Sequence, residues 1–308
     1  MHRFRSSRSS RSSAIAAALL APAALLALAG CTTPPADDGR ISIVASTDTY
    51  GSIATAIGGD LVAVTSIIDS ENQDPHEFEA TARTQLALSR ADIVIRNGGG
   101  YDDFVGSLLS SANNSDAILM DVAAISGYDQ APASGEFNEH LWYDLPTVQK
   151  LADQLAEELA TLDPADEAAY RANADEFATT VAALEARESA MATSFAGIGA
   201  AITEPVPLYM LDAIGLINRT PDEFSEAVEE DTDVPPATLD ETLDLFSTHQ
   251  VSVLVYNEQT TGAATDEVLD AAEAAGIPAV AVRETLPTGK SYLEWMSADL
   301  DALAAALA

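Results

Sequence analysis

The chain has 308 residues, 47% of them hydrophobic, and 49 Asp and Glu stand against 14 Lys and Arg, for a net charge of −35. At roughly 150 residues per domain this is material for about two domains, and the apolar fraction excludes intrinsic disorder. Arg3, Arg5, Arg8 and Arg11 fall within the first 31 residues, which hold no acid, so the rest carries 10 bases against 49 acids and a charge of −39; such a surface repels phosphate backbones and anionic headgroups, which excludes nucleic-acid binding.

A basic, serine-rich stretch from Arg3 to Ser13 precedes Ala14 to Ala29, a run of Ala and Leu broken only by Ile15 and Pro22, and the segment closes with Leu28-Ala29-Gly30-Cys31. These are the three parts of a secretory signal peptide. The 16-residue apolar run is short of the ~20 residues that a spanning helix needs. Its ending resembles a bacterial lipoprotein box, in which the thiol, here Cys31, is lipidated and becomes the first residue of the mature chain; the plain alternative is an ordinary signal cleaved near Ala29. Cys31 is the only cysteine, so an intramolecular disulfide and a Cys-based zinc finger are both excluded. Residues 1–31 thus read as a signal peptide and 32–40 as a flexible tether, with Thr32 to Gly39 (TTPPADDG) holding a soluble body off the membrane.

From Ile41 onwards short β-branched runs alternate with longer helical patterns. Strands are expected at Ile41–Ala45, Leu61–Ile68, Asp92–Arg96 and Ala117–Met120, with helices starting near Thr49, Thr81 and Tyr101. Alternation of this kind predicts parallel βαβ units. Between Leu145 and Phe195 apolar residues recur at helical spacing (Leu151, Leu155, Leu159; Phe177, Val181, Leu184), interrupted at Asp163-Pro164. This predicts a long helical stretch with Pro164 in the first turn of its second part. Strands resume at Ala200–Thr203, Val251–Tyr256 and Pro278–Val282, with helices near Leu208, Leu239, Thr265 and Ser291. The fold class expected is α/β, with two (β/α) lobes, 41–143 and 198–308, joined by a linking helical segment, 144–197.

Histidine is scarce: His2, His76, His140 and His249. His2 leaves with the signal, and His249, between a helical pattern and a strand, reads as a capping or surface residue. His76 and His140 each sit in a polar loop ahead of the long helix, in Asp74-Pro75-His76-Glu77-Phe78-Glu79 and Glu139-His140-Leu141-Trp142. Two loop histidines 64 residues apart are a weak signal by themselves, and 49 acids make an acidic neighbour inevitable. No H-E-x-x-H helix or G-x-S-x-G elbow occurs. Gly289-Lys290-Ser291 looks like the end of a P-loop, but Glu284 stands where its first glycine must be. Asn97-Gly98-Gly99-Gly100 reads as a strand-to-helix turn, and Tyr50, Trp142, Tyr209 and Trp295 as core and cleft wall.

The order Asp74-Pro75-His76-x-Phe-Glu, Asn97-Gly98, Glu139-His140-Leu-Trp, Thr203-Glu204-Pro205-Val206, Glu284-Thr-Leu-Pro and Ser291-Tyr292-Leu293 resembles the zinc/manganese class (TroA-like, cluster A-I) of ABC-transporter substrate-binding lipoproteins. The resemblance spans the mature chain, and the Asp-Pro-His loop is its most specific word. It implies a rigid helix in place of a flexible hinge and one metal bound in a cleft between the lobes by four side chains. Carried over, these are His76 and His140 from the N-terminal lobe, Glu204 after the first strand of the second lobe, and Glu284 after its last strand. Glu284 stands where aspartate is usual, and Glu258 or Asp212 are the substitutes for it.

Two neutral imidazoles and two carboxylates make a neutral site around a divalent ion. That set leans towards Mn(II), with Zn(II) close behind, and Tyr128 to Asn138 lacks the His-rich insert that often marks zinc-dedicated members. The reading implied is an extracytoplasmic, monomeric receptor, lipid-anchored to the bacterial cell membrane and otherwise free of it, which hands Mn(II) or Zn(II) to an ABC permease and catalyses nothing. Its rivals are a secreted metallohydrolase, which needs an open metal position and a general base, and a surface adhesin with a structural metal.

Overall fold

The computed structural model describes residues 39–70, 78, 81–133 and 135–308; His76 and Cys31 lie outside them. The first half contains β1 (Ile41–Thr47), α1 (Asp48–Gly58), β2 (Val62–Ile68), α2 (Ala82–Leu88), β3 (Ile93–Arg96), α3 (Phe104–Ser111), β4 (Ile118–Asp121) and α4 (Val122–Ser126). After α5 (Leu145–Leu162) and α6 (Glu167–Phe195) come β5 (Gly199–Ile202), α7 (Leu208–Ala213), β6 (Ile217–Asn218), α8 (Asp222–Glu229), α9 (Pro236–Ser247), β7 (Val253–Asn257), α10 (Ala263–Ala275), β8 (Ala279–Val282) and α11 (Tyr292–Ala306).

Each half builds one four-stranded sheet, β2-β1-β3-β4 and β6-β5-β7-β8, with every pairing parallel. The inner strands read as apolar runs (IVI ahead of Arg96 in β3, GAAI in β5) because helices cover both faces of a parallel sheet. The strand order reverses between β1 and β3 in one sheet and between β5 and β7 in the other. Ligands of such sheets bind beyond the carboxyl ends of the strands at that crevice, so the topology directs attention to the residues following β1, β3, β5 and β7.

The two lobes are fastened rather than hinged. The buried side of α6 recurs at Tyr170, Ala174, Phe177, Val181, Leu184, Glu188 and Met191, a 3–4 spacing that keeps one stripe facing inward along 29 residues. At one end Asn173 Nδ2 donates to the Ile57 carbonyl of α1 (2.9 Å). Towards the other, Arg187 donates to Ser297 Oγ (2.9 Å) and Asp301 Oδ1 (2.6 Å) of α11. A single apolar cluster runs through both halves, from Ile43, Tyr50 and Ile95 through Trp142 and Tyr143 to Ile202, Val255, Tyr292 and Trp295, and residues Gly39–Ala308 form one compact unit.

All seven expected strands are present. Pro164 lies in the turn between α5 and α6, ahead of the Asp166 cap, and not in the first turn of α6: Asp163 already leaves the helix with ψ 80°, so the break falls before the proline ring can act as a helix start. Strand β6, two residues long, and α8, opened by Pro221, carry too little periodicity to be read from the sequence. His249 follows α9 with φ 52°, and its N–H reaches the Phe246 carbonyl (3.1 Å); it closes the helix, as its position implied.

Candidate metal centre

His140 lies on the loop that leads from α4 to the Leu141–Tyr143 turn, and its placement is over-determined. Asn138 Oδ1 accepts from the His140 backbone N–H (3.1 Å) and sits 2.7 Å from ring Nδ1. An oxygen already accepting from the backbone is an acceptor for the ring too, so Nδ1 carries a hydrogen and Nε2 is the nitrogen directed outward. Trp142 packs edge-on against the ring at 5.1 Å between centroids, with Tyr101 at 6.3 Å. Behind the loop, Asn97 after β3 donates from Nδ2 to the Glu139 carbonyl (3.0 Å) and accepts from the Tyr50 hydroxyl. The glycines after Asn97 turn the chain as expected: Gly98 has φ 74°, and a Cβ there would meet Asp121 Oδ1 at 2.5 Å.

The same loop is tied to the opposite lobe. Asn138 Nδ2 donates to the Pro205 carbonyl (3.2 Å), and the Tyr209 hydroxyl of α7 donates to the Asn138 carbonyl (2.8 Å). Glu204, adjacent to Pro205, emerges at the end of β5 and is 2% exposed; Glu284 follows β8 and is 6% exposed. One amide joins them: Asn257 Nδ2, at the end of β7, donates to Glu204 Oε2 and to Glu284 Oε1 (2.8 Å). The backbone of Glu284 is pinned by its N–H donating to Gln259 Oε1 (2.7 Å) and by the Thr49 hydroxyl donating to its carbonyl across the cleft (3.4 Å).

The crevice of the second sheet therefore holds the carboxylates, and His140, 1% exposed, faces them from the first lobe. Of the two substitutes for Glu284, Glu258 is ion-paired with Arg283 and Asp212 is exposed on α7; neither joins the cluster.

A further acid completes the group. Glu229, the last residue of α8, places Oε1 3.3 Å from His140 Nε2. Burial would lower the His140 pKa, but the negative charges of Glu229, Glu284 and Glu139 outweigh it and raise the ring to about 9. Glu204 is raised as well: burial, then repulsion by Glu229 and Glu284, lift it to about 8 against the bonds from Asn257 and Thr260. Glu204 Oε1 is buried without a hydrogen-bond partner among the described residues. A buried imidazole and crowded buried carboxylates are donor types that suit a divalent cation, whose charge would replace the protons that these groups otherwise hold. Among the described residues no three His, Cys, Asp or Glu side chains are already drawn to the spacing of a bound ion.

A cavity of about 190 Å³ leads to His140 between the 135–140 loop and α8, lined by Glu136, Glu139, Asp222, Glu226, Glu229 and Glu230 with no Lys or Arg among its walls. Such a mouth concentrates cations and rejects anions. None of Asn138, Asn257 and Glu229 stands out in the sequence; the only signal for Glu229 is its place in a run of acids (Glu229-Glu230-Asp231) six residues before Pro235-Pro236.

Fold and site together define a two-lobed α/β protein with a buried imidazole and buried carboxylates at the ends of two parallel sheets. Residues 43–306 match the family described as ZnuA, zinc-uptake complex component A, periplasmic, and the chain belongs to that family, which comprises transport binding proteins and not enzymes. It is similar to the manganese-binding lipoprotein MntA of Halalkalibacterium halodurans, 29% identical over 164 residues, 52% of this chain and 54% of MntA. The chain thus spans about half the length of the curated relatives it matches first. The periplasmic zinc-binding protein TroA of Treponema pallidum superposes with TM-score 0.73 at 17% identity, over 88% of this chain and 100% of TroA. A mutant of the laminin-binding adhesin Lmb of Streptococcus agalactiae does so with TM-score 0.73 at 20% identity, over 87% and 100%. These two likenesses establish the fold.

Proposed function

We propose that this protein is the extracytoplasmic receptor of an ABC importer, binding Mn(II) or Zn(II) through His140, Glu204 and Glu284 together with His76 and passing the ion to its permease. The observation that carries this reading is the convergence of a buried imidazole, oriented through Nδ1, with two buried glutamates held by one amide at the crevice of the second sheet. The donor types suit both metals. Nitrogen donors serve zinc, oxygen donors serve manganese, and zinc binds most such sites more tightly in vitro whatever is carried in the cell.

In this reading residues 1–31 are a signal ending at the lipidated Cys31, 32–40 a tether, and 41–143 and 198–308 the lobes on either side of the 144–197 link. The protein acts as a monomer, anchored to the membrane by lipid alone. Among the described residues no helix is long and apolar enough to cross a membrane. Elemental analysis of the chain purified without chelator, followed by competitive Mn(II)/Zn(II) titration, tests the proposal: one ion per chain at sub-micromolar affinity is expected, and absence of any stoichiometric divalent ion in the titration overturns it.

A further inference from the structure

Glu229 is absent from the ligand set that the resemblance implies, yet it stands in direct contact with His140. Two donors about 2.1 Å from one ion, at angles between 90° and 109°, are about 3.0–3.4 Å apart. Glu229 Oε1 and His140 Nε2 are 3.3 Å apart, the separation of neighbouring ligands around a first-row metal. The nitrogen concerned is the one that the Asn138 contact turns outward.

Two independent features agree. The side chain of Glu229 is only 14% exposed and lines the acidic mouth together with His140. Glu204 has a buried Oε1 without a hydrogen-bond partner among the described residues, and Glu229 is the foremost charge acting on it.

From this geometry we infer that Glu229 is itself a ligand of the bound ion, giving the site a third carboxylate. The inference rests on the proposed metal site and specifies its chemistry. With Glu204, Glu284 and Glu229 beside His140, the hard oxygens outnumber the nitrogens. Structural and catalytic zinc sites favour nitrogen and sulfur donors at low coordination number, whereas Mn(II) takes higher coordination with oxygen ligands. Glu229 therefore contributes more to manganese binding than to zinc binding.

The test is competitive titration of Mn(II) and Zn(II) with the full chain and with Glu229→Gln, Glu229→Asp and Glu226→Gln. Glu229→Gln should lower Mn(II) affinity by more than about tenfold, the least that losing even an outer-shell partner of a ligand costs, and lower Zn(II) affinity less. Glu229→Asp, which keeps the carboxylate, should retain an intermediate affinity. Glu226→Gln removes an equal charge from the mouth without removing a donor, and should change the manganese-to-zinc ratio little. Manganese X-ray absorption on the loaded proteins should show fewer carboxylate ligands in Glu229→Gln than in wild type. Unchanged affinity in Glu229→Gln overturns the inference, and so does tighter binding, which would make Glu229 a cap over His140 that the ion must displace. An equal loss in Glu226→Gln also overturns it in favour of a long-range field effect. Failure of the site itself looks different: the wild-type chain would then bind neither ion stoichiometrically, or His140→Ala would titrate as wild type does.

Discussion

Glu188 occupies an inward position in the apolar stripe of α6, between Leu184 and Met191, and is 5% exposed. Burial, with smaller contributions from Glu185 and Asp144, raises its pKa from 4.5 to about 8. The folded chain therefore keeps a proton that the unfolded chain releases above pH 4.5, and stability falls as pH rises through that interval, reaching its floor above about 8. At pH 7 the unscreened cost is about 3 kcal/mol, from 1.36 kcal/mol for each of roughly 2.5 pH units; water reaching the edge of the stripe reduces this to about 1.5 kcal/mol. Glu188→Gln keeps the shape and abolishes the titration. Its melting temperature should match wild type at pH 4.5 and exceed it by roughly 3–6 °C at pH 7, at 2–4 °C per kcal/mol for a chain of this size. Thermal and urea unfolding of both proteins at half-unit pH steps, with chelator present, measures the difference. A gap independent of pH, or one that closes as pH rises, refutes the burial argument.

His76→Ala and His140→Ala should each abolish tight metal binding while circular dichroism stays that of the wild type, because the apolar clusters under the two sheets carry the fold; near-wild-type titration of either variant contradicts the assignment. Bound metal should raise the melting temperature, since a ligand of the native state alone stabilises it by about 4 kcal/mol at a thousandfold excess over Kd, and chelator should reverse the gain. Glu204→His should shift the selectivity ratio towards zinc by adding a nitrogen donor, read by the same Mn(II)/Zn(II) competition; an unmoved ratio excludes Glu204 from the site. Asn257→Ala removes the amide that holds Glu204 and Glu284, and should weaken both metals by roughly 10–100-fold, with isothermal titration as the check and unchanged affinity as the contrary result.

Much of the architecture was legible because parallel βαβ units have a strong pattern. Buried strands are mostly runs of β-branched or small apolar residues, and the long helices show a 3–4 repeat, so β1, β3, β7 and α5 follow directly from Ile41–Ala45, Asp92–Arg96, Val251–Tyr256 and the Leu151, Leu155, Leu159 series. Short elements lack that pattern. Two residues of β6 show no alternation, and α8 is called helical by its contacts: Phe224, Ser225 and Val228 are buried against the second lobe, while the acids between them read equally well as a solvated loop. Glu188 escaped notice for the opposite reason, since its position in the stripe is apolar by period and only its side chain is not.

Of the proposed centre, residue types were legible and their arrangement was not. Histidine is rare enough here that His140 could be singled out by type, and the words around it carried Glu204 and Glu284. Glutamate is so common that type says nothing: Glu229, one acid among 49, gains its meaning only from α8 ending beside the loop that Asn138 fastens to Pro205. Asn257 is likewise an ordinary strand-end residue until the β5–β7 crevice sets its amide between two carboxylates. What the sequence lacked in each case is a long-range distance, 89 residues of separation between His140 and Glu229 and 53 between Glu204 and Asn257. Those distances are created by strand order, the point at which β7 crosses to the far side of β5, and strand order is written in the packing of whole elements rather than in any local spacing.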